Sequence, residues 1–309
     1  MLQQLQVVGG SVLTLFFLMA VGFVFGRLGL LSDSTLSQMS RILLNAVVPC
    51  VMISAFEVER TAEIDRQLLI TFAVLAGTYA LYMLGSCLLF RGQPEEHRGI
   101  LRFASIYGNV GFMGLPLIQS ALGDAAAMTA AMSLVIFNVV TFTHGIALIG
   151  GKGSMSARKI VLNPGTLGFL AAIVLYLTGW RLPGPVNASV GYLSSLNTPL
   201  PMLIIGGQMA HTDLPAVFRD KKLYAASAIK LVALPVLTAL VLLPFRLDPV
   251  IFTALVILSG CPTAGVTSLF AQNMGKDAGL AARQITLSTL LCIVTLPLAA
   301  VLAQLLAVR

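Results

Sequence analysis

Charge is what this sequence has least of. Only 10% of its 309 residues are Asp, Glu, Lys or Arg, and 57% are hydrophobic; soluble domains carry about 25% charged residues. A chain so poor in charge cannot cover itself with a water-compatible surface, which excludes an ordinary soluble globular protein. Catalytic signatures are also missing. No apolar run holds a pair of carboxylates, and there is no His-Glu-x-x-His and no phosphate-binding Gly-rich loop ending in Lys. Metalloprotease and nucleotide-hydrolase chemistry therefore has no anchor in the sequence. Ser227 and Lys230 stand three apart, but a single such spacing is weak ground for a nucleophile–base dyad. Cysteine is scarce: Cys50, Cys87, Cys261 and Cys292 stand singly in apolar surroundings. Neither a disulfide framework nor a metal site is indicated, and buried thiols are predicted. No cofactor is expected, and the chain is not read as an enzyme. The one tryptophan, Trp180, lies beside Arg181 and reads as an interface anchor.

What the sequence has is apolar length. Mean hydropathy is +0.93, carried in runs of about 20 residues without strict alternation, so the spans are helical rather than barrel strands. Ten spans are predicted, at about 9–27, 36–56, 67–90, 98–119, 125–149, 163–180, 189–210, 223–244, 249–272 and 279–305. The run from Ser11 to Phe25 lacks a basic leader region and a convincing cleavage site, and reads as a retained span. The longest hydrophilic piece, Gly150 to Lys159, divides the chain near its middle. The basic balance, 19 Lys+Arg against 12 Asp+Glu, reports loop orientation rather than a nucleic-acid partner. Connections after the odd-numbered spans carry 13 basic residues, those on the other side carry 5, and Lys230 lies within a span. The excess predicts an integral membrane protein with both termini on the non-cytoplasmic side.

The spans repeat. Leu44-Asn45-Ala46-Val47-Val48-Pro49 and Leu196-Asn197-Thr198-Pro199-Leu200-Pro201 share the pattern Leu-Asn-x-x-x-Pro at an offset of 152. At the same offset Gly108 meets Gly260, with Pro116 and Pro262 following, and Asp124 meets Asp277 at 153. Five spans per repeat is odd, so the second repeat must be inverted. Inverted repeats with interrupted helices in corresponding places mark secondary transporters.

The interruptions are explicit. Gly108-Asn109-Val110-Gly111-Phe112-Met113-Gly114-Leu115-Pro116 places three glycines, a proline and an amide inside span 4. Gly and Pro disfavour a regular helix, and freed backbone groups in lipid are tolerated only where protein or a water-filled cavity satisfies them. Span 9 is likewise interrupted by Gly260, Pro262 and Gly265, and supplies Thr263, Ala264 and Thr267. Gly108, Gly114, Pro116, Gly260, Pro262, Gly265, Asn45, Pro49, Asn197 and Pro201 are read as helix breaks or hinges. Half-helix N-termini suit a carboxylate. Asn109, Val110, Gly111, Asn138, Thr263, Ala264, Thr267 and Lys230 are the candidate substrate contacts. Close helix packing is the alternative for the Ser, Thr and Gly of span 9. For Lys230 two readings stand: snorkelling to the cytoplasmic edge, or drawing anions inward. His144, Gln208 and His211 read as interfacial, as does Arg283, and Ser133 and Thr141 join Asn138 on span 5.

These motifs resemble the auxin efflux carrier family, and more closely its short bacterial members described as malate or malonate carriers. The resemblance rests on Leu44-Asn45-x-x-x-Pro49, the Gly108–Pro116 segment, Asn197-x-x-x-Pro201, and the Pro262 segment running into Lys276-Asp277-Ala278, and it covers essentially the whole chain. It implies an all-α integral membrane protein of ten helices in two inverted five-helix repeats, 1–150 and 163–309, joined by a cytoplasmic linker at 151–162, with a fold related to bile-acid sodium symporters. Helices 4 and 9 would cross as broken helices in a mobile domain of spans 3–5 and 8–10, against a scaffold of spans 1, 2, 6 and 7, in a homodimer. It further implies elevator-like transport of a small organic anion, a mono- or dicarboxylate, with Asn109 at the substrate carboxylate and Asn45 and Asn197 in the scaffold. Thr263-Ala264-Gly265-Val266-Thr267 offers no Asn after Pro262, which departs from a symmetric amide pair, and the short link between spans 5 and 6 departs from plant auxin carriers. The chain is expected in a bacterial inner membrane, coupled to a proton or sodium ion or uncoupled. The alternatives are a sodium-coupled organic anion symporter of the bile-acid type and a membrane sensor or enzyme on a transporter-like fold.

Overall fold

Polar caps and turn residues cut the apolar sequence into helices. The computed structural model describes residues 2–123, 126–151, 162 and 164–307, with side chains at 2–7 and 127 left aside. The helices are α1 Leu2–Arg27, α2 Asp33–Ala55, α3 Ala62–Ser86, α4 Glu95–Ile106, α5 Val110–Leu122 and α6 Met128–Gly150. After the midpoint come α7 Pro164–Thr178, α8 Gly184–Ser195, α9 Pro199–Ala210 and α10 Leu214–Arg219. The chain closes with α11 Lys221–Phe245, α12 Pro249–Ser259, α13 Val266–Asn273 and α14 Ala278–Ala307. Side chains of Ser32, Thr61, Asp220 and Asp248 accept from the first-turn N–H groups of α2, α3, α11 and α12, satisfying donors that a helix start leaves free.

Six of these helices, α1, α2, α3, α6, α11 and α14, are long and apolar enough to cross a membrane, and the described residues form an all-helical protein without strands. Its surface is apolar where a soluble protein's would be polar: Phe17, Leu69 and Leu84 are each more than 70% exposed. A contiguous apolar exterior of this kind needs lipid, not water, around it. Cys261 and Cys292 are buried as expected, but Cys50 is half-buried and Cys87 exposed, because they lie on outward faces of α2 and at the end of α3. The linker expected at 151–162 falls almost wholly outside the described residues, as does Asp124 of the repeat pattern.

Three prolines inside the helices follow one rule, whereas Pro297 lies in α14 without such a turn. Five-residue π-turns at Leu43–Val47, Val110–Gly114 and Ile229–Ala233 are each followed two residues later by a proline: Pro49, Pro116 and Pro235. In a regular helix the proline ring collides with the carbonyl four residues back. The wider turn moves that carbonyl aside, and the residue before each proline donates five residues back, Val48 to Leu43, Leu115 to Val110 and Leu234 to Ile229. Two sequence expectations are corrected here. Asn45 and Pro49 do not break α2; Asn45 lies within its π-turn, with Nδ2 donating to the Arg41 carbonyl at 2.7 Å. Gly114 and Pro116 lie inside α5, and the actual break is at Tyr107–Asn109. At Asn197 the expectation and the structure coincide: α8 stops at Ser195 and α9 starts at Pro199, with Pro201 in its first turn, where prolines are tolerated.

Packing follows small residues. α1 runs along α9 more extensively than any other pair of helices. Gly206 makes the approach possible, since a Cβ there would overlap the Met19 carbonyl oxygen and lie 2.8 Å from the Phe23 nitrogen. α2 packs against α7 and α8, α3 against α6, and α14 against α11, α12 and α13. Gly206→Val is expected to destabilise the protein by about 1–3 kcal/mol through overpacking; a lowered thermal unfolding midpoint in detergent checks this.

Candidate functional site

Two breaks meet in the interior. α4 stops at Ile106 and α5 starts at Val110; α12 stops at Ser259 and α13 starts at Val266. The segments between them cross as a short antiparallel bridge, Gly108 against Thr263. The Asn109 N–H donates to the Pro262 carbonyl at 2.7 Å, and the Ala264 N–H donates to the Tyr107 carbonyl at 3.0 Å. Thr263 is pinned further: its N–H donates to Ser288 Oγ at 3.1 Å and its hydroxyl to the Ala104 carbonyl at 3.0 Å. Backbone groups released by breaking two apolar helices thus find partners on each other. Gly108 is required for the crossing, because a Cβ there would lie 2.8 Å from Lys230 Cε and 3.0 Å from the Cys261 carbonyl oxygen.

Asn109 caps the restart of the helix. Its Oδ1 accepts from the Phe112 N–H at 3.3 Å, and its carbonyl accepts from Met113 and Gly114. With Oδ1 used in this way, Nδ2 is what the amide has left to donate. Val110 donates to the Gly108 carbonyl, so of the first N–H groups of α5 that of Gly111 has no partner among the described residues. The Gly111 carbonyl accepts from Asn197 Nδ2 at 3.2 Å, which ties the α8–α9 break to the start of α5. Asn197 is buried, and its Oδ1 has no partner among the described residues.

The remaining expected contacts divide. Ala264 lies at the crossing, whereas the Thr267 hydroxyl donates to the Ala264 carbonyl at 2.6 Å and Thr263 is occupied as above. Neither threonine has a proton left to give an anion. Asn138 is half-buried on α6, and the neighbouring Thr141 donates to the Phe137 carbonyl at 2.6 Å. Lys230 does not snorkel: it is 1% exposed, and its ammonium donates to the Ser259 carbonyl. It lines a cavity of about 410 Å³, part of it open to the exterior, together with Thr78, Tyr82, Ser133, Thr238 and Ser259. Gly108 and Val110 line this cavity, but Asn109 between them does not, so the crossing separates Lys230 from Asn109. The Ser227–Lys230 dyad is excluded by geometry, because Ser227 Oγ accepts from Gln284 Nε2 at 3.0 Å while Lys230 points to Ser259.

His144 is half-buried, linked to the Tyr107 hydroxyl at 2.8 Å, and so sits against the crossing rather than at an interface. Gln208 is half-buried near the end of α9; His211 pairs with Asp33 at 2.8 Å, and Arg283 approaches Asp277 at 3.8 Å. Tyr107 and Ser288, which hold the crossing, carry no local signal in the sequence. Ser288 lies 25 residues beyond its partner Thr263, inside an unbroken helix.

Comparison with known proteins fits this geometry. The model of a family described as "Membrane transport protein" matches residues 7–154 and 151–300. The chain belongs to that family. Membership bears out the resemblance to auxin efflux carriers and makes this chain a membrane transporter by family. An "Uncharacterized transporter" of Methanothermobacter thermautotrophicus is 25% identical over 93% of this chain and 96% of its own length. A "Putative malonate transporter" of Rhizobium meliloti is 26% identical over 93% of this chain and 92% of its own length. Within this transporter framework the crossing can be tested directly. Thr263→Val, which removes the hydroxyl bond to Ala104 and leaves a buried carbonyl unpaired, is expected to cost about 1–3 kcal/mol, read as a lower unfolding midpoint.

Proposed function

We propose that this membrane transporter is a secondary carrier of small organic anions, mono- or dicarboxylates of the malonate and malate type. The observation that carries this reading is the start of α5: Asn109 Nδ2 and the unpartnered Gly111 N–H lie two residues apart at the positive end of a helix. Two donors and a helix N-terminus suit one carboxylate, with no buried charge needed at the point of contact. The name of the Rhizobium relative agrees with a carboxylate substrate. Asn138 and Ala264 complete the surroundings of that carboxylate in this reading, whereas Val110, an expected contact, lines the Lys230 cavity instead.

The proposed architecture is ten membrane crossings in two inverted five-helix repeats, 1–150 and 163–309, linked at 151–162. The family model matches the chain twice, at 7–154 and 151–300, which supports a two-repeat reading. The break at 107–109 in one half and that at 260–265 in the other pair antiparallel, which supports an inverted arrangement. α3–α6 with α11–α14 form the moving unit, and α1, α2 and α7–α9 form the scaffold of a homodimer in the bacterial inner membrane, termini outside. Elevator-like movement of one against the other must break the Asn197–Gly111 bond.

Counterflow of labelled malonate and malate in proteoliposomes tests the reading: exchange of either is expected, and retention of every label across a wider acid panel overturns it. Asn109→Ala is expected to raise the apparent KM about tenfold or more, the loss of one hydrogen bond to a charged group. Its unfolding midpoint should fall only by the loss of a helix cap, about 1 kcal/mol. An unchanged KM removes Asn109 from the site.

A further inference from the structure

The cavity on the other side of the crossing is walled largely by oxygen acceptors. Four hydroxyls in its wall give their protons to backbone carbonyls: Thr78 to Val74 at 2.8 Å, Ser133 to Thr129 at 2.9 Å, Thr238 to Leu234 at 2.7 Å and Ser259 to Val256 at 2.7 Å, while Tyr79 and Tyr82 complete the polar lining. Tyr82 differs in its partner: its hydroxyl donates to Thr238 Oγ1, whose own proton goes to the Leu234 carbonyl. What these groups turn to the cavity is oxygen lone pairs. The cavity also abuts the C-terminal end of α12, the negative end of the helix dipole, where the Val256, Ile257 and Leu258 carbonyls accept from Gly260 and Cys261 and the Ser259 carbonyl accepts from Lys230. Oxygen acceptors at a carbonyl-rich helix end favour a hard cation.

One cation is already there. The Lys230 ammonium donates to the Ser259 carbonyl, and its Nζ packs on Gly108, 2.9 Å from where a Cβ would stand. No acid neutralises it: the four ion pairs among the described residues lie elsewhere, and no Asp or Glu occurs in 97–123, 221–247 or 249–276. An unpaired charge this deep in an apolar body is costly unless the surroundings are built to solvate it. The acceptor-lined wall and the helix end supply that solvation.

We infer that this cavity is a monovalent-cation site whose cation is built into the chain: the Lys230 ammonium takes the place that a bound sodium or small ammonium ion would otherwise fill. The positive charge behind the crossing favours an anion in front of it, at Asn109, without touching it. Folding and anion exchange therefore need no sodium, and removing the lysine opens the site to small cations. The part concerning exchange rests on the carrier reading above; the part concerning cation binding does not.

The test compares purified wild type and Lys230→Ala at constant ionic strength in sodium, methylammonium or N-methylglucamine chloride, the last too bulky for the cavity. The wild-type unfolding midpoint should be the same in all three. That of Lys230→Ala should be lowest in N-methylglucamine and rise saturably by about 5 °C or more with sodium or methylammonium. Lys230→Ser leaves the same space with an added hydroxyl and serves if the alanine variant does not fold. A saturable sodium response in the wild type overturns the inference whatever the variants do, as does a variant midpoint indifferent to all three cations. In proteoliposomes, wild-type malonate counterflow should be equal in sodium and N-methylglucamine, while the variant should regain at least about fivefold in rate with the small cations. Cation rescue of the variant's midpoint without counterflow by the wild type would uphold the cation site and reject the carrier reading.

Discussion

Four strands of backbone meet where two helices are interrupted, and the hydrogen bonds they exchange make the interruption possible. In an apolar body each unpaired N–H or C=O is expensive, so neither α4–α5 nor α12–α13 is tenable as a broken helix alone. The Asn109–Pro262 and Ala264–Tyr107 bonds satisfy each break with the other. Thr263, held by Ser288 and by Ala104, locks the pair to α14 and α4. Beside this crossing stands an aromatic wall in which Tyr107 stacks on Tyr79 with ring centres 6.2 Å apart.

The crossing also sorts polarity. On one side stand donors, the Asn109 amide and the Gly111 N–H at the start of α5. On the other stand acceptors, the end of α12 and hydroxyls that have given their protons to their own helices, with Lys230 among them. Opposite helix ends brought side by side make this separation without a single carboxylate in the membrane-spanning interior. In the proposed reading an apolar interior presents one surface suited to an anion and another suited to a cation a few residues apart. Membership of a membrane transport family gives that arrangement its context, and the distant relatives at 25–26% identity match over nearly their whole length, so the framework is shared as a unit.

Prolines show how local chemistry and helix geometry are reconciled. Pro49, Pro116 and Pro235 lie within helices that a simple reading would break, and each is preceded by a π-turn that displaces the offending carbonyl. The consequence for Lys230 is direct: it is the second residue of such a turn, and the wider turn belongs to the same stretch of α11 that brings its ammonium to Ser259.

Much of this was legible in the residues themselves. Charge scarcity and apolar run length determine a helical membrane protein, because lipid admits a backbone only if it is internally bonded. The Gly-Asn-x-Gly segment and the Gly-x-Pro segment marked the two interruptions that meet at the crossing, since glycine and proline act locally. The same local rule failed at Asn45–Pro49, where a change of turn absorbs the proline and no break forms. Which break pairs with which, that Thr263 and Thr267 have no protons to spare, and that Lys230 is buried behind the crossing rather than reaching for the interface were decided only by the tertiary structure. Those outcomes depend on partners such as Ala104, Ser259 and Ser288, distant along the chain, and the side-chain types alone do not choose among them.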